Sequence, residues 1–158
     1  MKASWAQLTR QALGGSLLTS TIQEIQVEIT EANKALVRRY FDEVLNQRRV
    51  QVFDDLADPN FVSYLASGDR VGLSIYKQAI AGSLTAMPDL QVTIQDQIAE
   101  GDKVVTRWTA KGTPQIEFAG IKPAGQAVTV TAIHIHRVQG HKLVEHWEAI
   151  NLHSIKQD

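Results

Sequence analysis

The stretch TAIHIHRVQGHKLVEHWEAINLH, Thr131 to His153, predicts the hairpin that completes the fold. Alternating polar and apolar side chains on both sides of Gly140 favour two strands joined by a tight turn. The stretch also holds every histidine of the chain, and the first 130 residues have none. Those five are His134, His136, His141, His146 and His153. Their arrangement on the two strands therefore decides what chemistry the hairpin can support.

The length of the turn decides which side chains of the hairpin share a face. Successive residues of a strand point to opposite faces, so a slip of one residue reverses every side chain. A two-residue turn at Gly140-His141 would place His134 opposite Trp147 and send Glu148 to the other face. In that register no pair between His134 and Glu148 could form.

A three-residue loop gives the other outcome. With the loop at 139–141, Val138 pairs with Lys142, and His134 and Glu148 become diagonal neighbours about 7–8 Å apart at Cα. His141 would then adopt a left-handed conformation, in which histidine is enriched. We predict this longer loop, which puts His134, His136, His146 and Glu148 on one face.

Upstream of the hairpin, the apolar spacing predicts three helices and then strands. Helical spacing begins at Thr30, a predicted N-cap, and returns in a short helix ending before Asp58-Pro59 and in a third helix at about Leu73–Ala86. After Pro88 the period changes to two, which is typical of half-buried strands. The fold class predicted is α+β, with three N-terminal helices packed on an antiparallel sheet.

Residues 1–28 are predicted to be an extension, helical or flexible, and 29–158 the folded domain. Gly14-Gly15 is expected to end any helix there, and IQEIQVEI fits a helix or a strand equally well. Asp96 interrupts the apolar face of its strand, so we predict a bulge that turns it to solvent. Arg107 is expected to form an ion pair.

The composition limits the classes of partner. The formal net charge is −1 and there are no cysteines. We therefore expect no nucleic acid, no thiolate metal site and no disulfide. No apolar run approaches the roughly 20 residues of a membrane span, and the polar N-terminus is unlike a signal peptide. The expected location is cytoplasmic, without membrane contact.

Three strings resemble the SnoaL-like polyketide cyclase family of the nuclear transport factor 2-like superfamily. They are MPDLQVTIQDQIAEGDKVVTRWTAKGT, EFAGIKPAGQAV and HRVQGHKLVEHWEAIN, and the resemblance covers about residues 30–155. It implies a cone-shaped α+β barrel, in which a strongly curved sheet wraps a long helix around an apolar pocket. It also implies a homodimer and a small apolar or polyketide-like ligand.

The resemblance further implies a site. In cyclase members a strand aspartate removes a proton from an acidic carbon, and a histidine on the neighbouring strand assists. Those positions fall on Glu148 and His134 of this chain, so the carboxylate is kept with one extra methylene. Other family positions differ, with Pro114, Ala124 and Asn151 replacing histidine, threonine and aspartate, and Tyr64 near a histidine position.

Three interpretations of the histidine face remain. One is an acid–base pair, with Glu148 as base and His134 as donor to the developing oxyanion. The second is a metal site, which we disfavour because the spacing matches no standard metal motif. The third is hydrogen-bonded filling, favoured for His136 and as good as a functional role for His146. We predict the catalytic pair His134 and Glu148, with no metal and no cofactor.

The residues predicted to contact substrate are Tyr64, Trp108, His136, His146 and Asn151. For Trp108, plain packing or a dimer contact is the more common explanation, and a tyrosine at the rim of the pocket, such as Tyr64, is common in this fold without a role. The predicted function is a cyclase-, isomerase- or hydratase-type enzyme acting on a small apolar molecule. A binding protein without chemistry and a dimerising interaction module are the alternatives, because one fold supports all three.

Overall fold

The computed structural model describes residues 5–117, 122–123 and 125–151, with side chains from residue 18 onward. Its elements follow one another along the chain with short connections. They are α1 (Trp5–Arg39), continued as a π-helix (Tyr40–Asn46), a 3₁₀ turn (Val50–Val52), α2 (Phe53–Leu56), β1 (Ala57–Tyr64), β2 (Arg70–Gly72), α3 (Leu73–Ala86), β3 (Gln91–Glu100), β4 (Lys103–Gly112), β5 (Val128–Gln139) and β6 (Lys142–Asn151). The α+β class is confirmed.

The six strands form one open sheet in the order β2-β1-β6-β5-β4-β3. All neighbouring pairs are antiparallel except β1 with β6, which is parallel, so the expectation of an entirely antiparallel sheet is wrong at this contact. Alternation within a strand does not reveal the direction of a partner far away in sequence, and this contact was therefore invisible in the residues. The curved, unclosed sheet forms the cone that the resemblance implies.

The core lies between the end of α1 and the inner face of the sheet. Val37, Phe41 and Val44 recur at helical spacing and are at most 1% exposed. They pack in one cluster with strand residues such as Val104 and Leu143. The helix therefore covers the face of β5 and β6 that carries the histidines.

α1 begins far earlier than the sequence predicts. It runs through Gly14-Gly15, and Thr30 lies inside it, donating its hydroxyl hydrogen to the Val27 carbonyl at 2.9 Å. The N-cap prediction is therefore wrong. A mid-helix glycine costs only about 1 kcal/mol, which a long helix tolerates. The helix also crosses residues 28 and 29 without a break, so the limits of the folded domain stay a prediction.

α3 matches its predicted bounds, and Tyr76, Ile80 and Leu84 form its buried stripe. The apolar spacing of this helix also predicts Ile75 and Ala79 as buried, but Ile75 is 52% exposed and Ala79 is exposed too, so the buried face is narrower than that prediction.

The register of β3 with β4 shifts between Ile94 and Asp96, which confirms the predicted bulge. The shift reverses the alternation downstream and leaves Ile98 68% exposed. Asp96 pairs with Arg107 at 2.6 Å, as expected.

A carboxylate joins the end of α3 to the end of β4. Asp89 accepts hydrogen bonds from the Thr113 backbone N–H and hydroxyl, both at 2.7 Å. A Cβ on Gly112 would lie 3.2 Å from the Leu90 Cα, so a side chain there is disfavoured. Pro88-Asp89 and Gly112-Thr113, which stand near the two ends of the first string that resembles the family, thus form one junction.

Replacing Asp89 with asparagine is expected to remove a pH-dependent part of the stability. The Thr113 hydrogen bonds hold the pKa of Asp89 below its ordinary value. A carboxyl group whose pKa is lower in the folded state stabilises the fold at pH values above its pKa in the unfolded state. This stabilisation is lost as the pH falls through the pKa of the folded state. Urea unfolding should show the variant less stable by about 1 kcal/mol or less at pH 7. The difference in unfolding free energy between variant and wild type should vanish near pH 2. The prediction would be contradicted by a difference that stays constant with pH, or by an equal effect of Asp42→Asn.

Candidate functional site

The turn between β5 and β6 has two residues, Gly140 and His141, with φ angles of 56° and 60°. Gln139 pairs with Lys142 across it, so the predicted three-residue loop is wrong. Two consecutive left-handed residues match the twist of the flanking strands, which explains the shorter turn.

A bulge in β6 nevertheless restores the arrangement that the longer loop was meant to produce. Val138 pairs with Leu143, whereas Arg137 pairs with Glu145, so Val144 is an extra residue. The extra residue reverses the alternation once more. His134 therefore lies directly opposite Glu148, closer than the predicted diagonal.

Three histidines share the buried inner face of this hairpin. His134, His136 and His146 are 4%, 0% and 0% exposed. The ring centroids of His134 and His146 are 4.4 Å apart, and those of His136 and His146 are 4.8 Å apart. One ring nitrogen from each lies within 4.8 Å of the others, a grouping that suits a metal ion.

Glu148 stands at the edge of this cluster, with 14% of its side chain exposed. Oε1 accepts a hydrogen bond from the Ala66 N–H at 3.0 Å, and Oε2 lies 3.8 Å from His134 Nε2, beyond hydrogen-bonding distance. Burial raises the pKa of Glu148, and the Ala66 N–H partly opposes that rise. The carboxyl is therefore a stronger base than an exposed glutamate once ionised.

The three imidazoles are neutral at physiological pH. Burial lowers the pKa of His136 to about 3 and holds those of His134 and His146 well below their ordinary value. Mutual repulsion between the rings adds to the effect on His134 and His146. Each neutral ring offers one N–H donor and one lone pair.

Ser63 belongs to the site although the sequence did not reveal it. Its hydroxyl lies 2.9 Å from Nδ1 of His146, and both groups are buried. Alternation in β1 puts Phe61 and Ser63 on one face, but only the parallel pairing with β6 brings Ser63 beside His146. That long-range pairing left no local signal.

Aromatic rings surround the cluster. Trp108, a predicted substrate contact, meets the His134 ring edge-on at 4.9 Å. Phe41 lies 6.1 Å from His134, and Tyr76 lies 5.0 Å from His146. The Tyr40 and Tyr76 hydroxyls are hydrogen-bonded to each other at 2.9 Å.

Two predicted substrate contacts lie away from the cluster. Tyr64 stacks on Trp147, with ring centroids 5.3 Å apart, on the outer face of the sheet. Asn151 pairs with Thr131 and is exposed, on the face opposite Glu148. Both follow from strand alternation, since each is one residue away from an inner-face position. His141 lies in the turn, and His153 and Ala124 lie outside the described residues.

Two of the surface clefts formed by the described residues have volumes of several hundred cubic ångströms, and neither is lined by a predicted site residue. One, of about 490 Å³, lies between α1 and the hairpin turn, and its walls include Ile29, Asn33 and His141. The other, of about 670 Å³, runs along α3 beside Pro59 and Lys77. The expected apolar pocket at Glu148 is thus not among these clefts, and we locate the candidate site by its chemistry.

No helix among the described residues is both long and apolar enough to cross a membrane.

The open curved sheet with a helix across its inner face defines the class of small α+β cones. More specifically, the model of the SnoaL-like polyketide cyclase family matches residues 35–158, and the chain belongs to that family. Comparison with the curated proteins finds no significant match.

Solved structures with this fold come from several bacteria. AclR, a candidate hydroxylase from Streptomyces galilaeus, is 30% identical with a TM-score of 0.71, covering 79% of this chain and 82% of AclR. IdmH, a candidate polyketide cyclase from Streptomyces antibioticus, is 25% identical with a TM-score of 0.70, covering 78% and 94%. A candidate SnoaL-like cyclase from Jannaschia Sp. CCS1 is 26% identical with a TM-score of 0.72, covering 78% and 88%.

Proposed function

We propose that this protein is a SnoaL-type enzyme that removes a proton from an activated carbon of a small apolar substrate. The observation that carries the proposal is the direct pairing of Glu148 with His134 on one inner face. A base and a hydrogen-bond donor held side by side are what the formation of an enolate requires.

Glu148 fits the role of the base. Its side chain combines partial burial, which raises its pKa, with 14% exposure, which leaves a route to the carboxylate. Catalysis by a general base is most efficient when the pKa approaches the working pH. The bond from the Ala66 N–H fixes Oε1 and leaves Oε2 directed towards His134.

His134 fits the role of the oxyanion donor. Its ring is neutral, since burial lowers its pKa, and a neutral N–H can stabilise an oxyanion without taking up a proton first. Its edge-on contact with Trp108 and its packing near Phe41 hold the ring in place. A donor fixed in advance pays no reorganisation cost during the reaction.

The surroundings favour an apolar, polyketide-like substrate. Trp108, Ala132 and Ile150 flank the pair on the same face, and all three side chains are apolar.

We extend the proposal to a homodimer of domains spanning 29–158. In that dimer the second copy covers Ile133 on the outer face of β5, which is 44% exposed in the single chain.

The reaction type can be tested by hydrogen exchange. We expect the purified protein in D₂O to accelerate deuterium incorporation at the acidic carbon of at least one probe from a panel of polycyclic aromatic β-keto esters. Mass spectrometry would measure the rate against buffer and against an equal amount of serum albumin. If probes bind, as shown by calorimetry, yet none exchanges faster than in albumin, the enzyme proposal is lost.

That negative outcome would favour a binding protein without chemistry. One observation supports this second candidate: both described clefts lie away from Glu148. Binding that persists without exchange, with protection of residues around Ile29 and Asn33, would identify the cleft beside α1 as the ligand site.

A further inference from the structure

The three inner-face histidines have unmatched polar atoms. Among the described residues, Nδ1 of His146 has a hydrogen-bond partner, the hydroxyl of Ser63, whereas the other five ring nitrogens of His134, His136 and His146 have none. All three side chains are at least nine-tenths buried. Buried polar groups are normally paired, so a cluster of this kind requires an explanation.

We propose that His134, His136 and His146 bind one divalent transition-metal ion, such as Zn²⁺, through one nitrogen each. Imidazole is a preferred ligand of zinc, copper, iron and nickel, and three histidines leave a coordination position open for water or a ligand. The proposal goes beyond proton removal by Glu148 and does not depend on it.

The distances suit such a site after a small adjustment. The three ligand nitrogens lie within 4.8 Å of one another. Zinc–nitrogen bonds of about 2.0–2.1 Å in a tetrahedron place the nitrogens about 3.3 Å apart, so each ring must move inward by less than about 1 Å. Histidine χ2 is a soft torsion, which makes that movement easy.

One ligand already has the partner that a metal-bound histidine requires, and a carboxylate lies close to a second ligand. A ligating histidine usually gives its second nitrogen to a hydroxyl, carbonyl or carboxylate that orients the ring. The Ser63 hydroxyl is hydrogen-bonded to Nδ1 of His146, which leaves Nε2 of His146 to bind the ion. Glu148 faces Nε2 of His134 at 3.8 Å, which leaves Nδ1 for the ion. The carboxylate also offsets the charge of the ion.

His134 can bind the ion and still act as the oxyanion donor, since Nδ1 would bind the ion and Nε2 would donate the hydrogen bond. This assignment replaces the sequence-based prediction of no metal, which rested on motif spacing. Positions 134, 136 and 146 come from both strands of a hairpin, and the bulge at Val144 brings them to one face. A spacing rule for a single segment could not identify such a set.

The test is metal binding by the full-length protein without an affinity tag. After removal of metal with a chelator, equilibrium dialysis against Zn²⁺ and separately Co²⁺ should load one ion per chain, measured by mass spectrometry of the metal. Imidazole ¹⁵N shifts of the wild type should move for three histidines. No stoichiometric uptake, or shifts confined to His141 and His153, would overturn the proposal.

Variants distinguish the buried cluster from surface histidines. His136→Phe should weaken Zn²⁺ binding at least about 100-fold, and Ser63→Ala, which keeps all three ligands, about 10- to 100-fold. The double variant His141→Asn/His153→Asn should bind like the wild type. Binding that survives Ser63→Ala and His136→Phe but is lost in the double variant would show a surface site only. Circular dichroism shows whether each variant folds. If a variant does not fold, the ¹⁵N shifts of the wild type show whether the ion binds to the buried histidines or to surface histidines.

Discussion

Inserting one glycine between Val144 and Glu145 is expected to dismantle the site and to destabilise the fold by more than about 4 kcal/mol. The two-residue turn and the single extra residue in β6 together place Glu148 opposite His134. A second extra residue reverses the alternation again. His134 would then face Trp147, and Glu148 would move to the outer face.

The fold loses stability because the reversal buries one charged side chain and exposes a histidine that is now buried. Glu145, now ion-paired with Arg137 on the outer face, would enter a core position without a partner. An unpaired buried charge is among the most destabilising changes a protein can undergo. The fully buried His146 would move outward.

Deletion of Val144 is the matched control, and urea unfolding is the measurement. The deletion removes the extra residue, so the ladder becomes regular and every inner-face residue keeps its partner. We expect it to cost less than about 2 kcal/mol, mainly through lost twist. If insertion and deletion destabilise the fold equally, or if the insertion has no effect, the alternation of side chains between the two faces does not determine the stability of this hairpin.

Local patterns were sufficient to predict several features of the molecule. The change of period after Pro88, the bounds of α3 and the bulge at Asp96 each follow from neighbouring residues. The family resemblance indicated Glu148 and His134, and the hairpin pattern put them on one face, although the predicted loop length was wrong. The turn is one residue shorter than predicted and Val144 is one extra residue, so the register shifts by two residues in total and every side chain keeps its predicted face.

Features set by distant parts of the chain could not be predicted in this way. Ser63 reaches His146 only because β1 runs parallel to β6, and nothing in the NFVSY segment indicates that neighbour. Tyr64 and Asn151 lie on the outer face by strand alternation, since each is one residue away from an inner-face position. Helix α1 continues through Gly14-Gly15 because two weak breakers do not outweigh the helix around them.

Replacing Glu148 with glutamine is expected to lower the catalysed exchange rate about 10²- to 10⁴-fold, the usual contribution of a general base. Glutamine has nearly the same volume and keeps an acceptor for the Ala66 N–H. Fold and ligand affinity should therefore survive, and the loss should fall on proton transfer alone. An effect restricted to the rate is what separates a base from a binding residue.

Glu145→Gln is the matched control for this substitution. Glu145 is on the same strand but on the outer face, and Arg137 is its partner there. Losing that partly exposed ion pair should cost about 1 kcal/mol or less in stability and leave the exchange rate unchanged. The comparison holds the chemistry of the substitution constant and changes only the face of the sheet.

The role of Glu148 as the base is tested most directly by the deuterium-exchange rates of wild type, Glu148→Gln and Glu145→Gln on one probe at equal saturation. We expect a loss of at least about 100-fold for Glu148→Gln and none for Glu145→Gln. If Glu148→Gln exchanges the probe within about threefold of the wild type, Glu148 is not the base and the proposed mechanism is wrong.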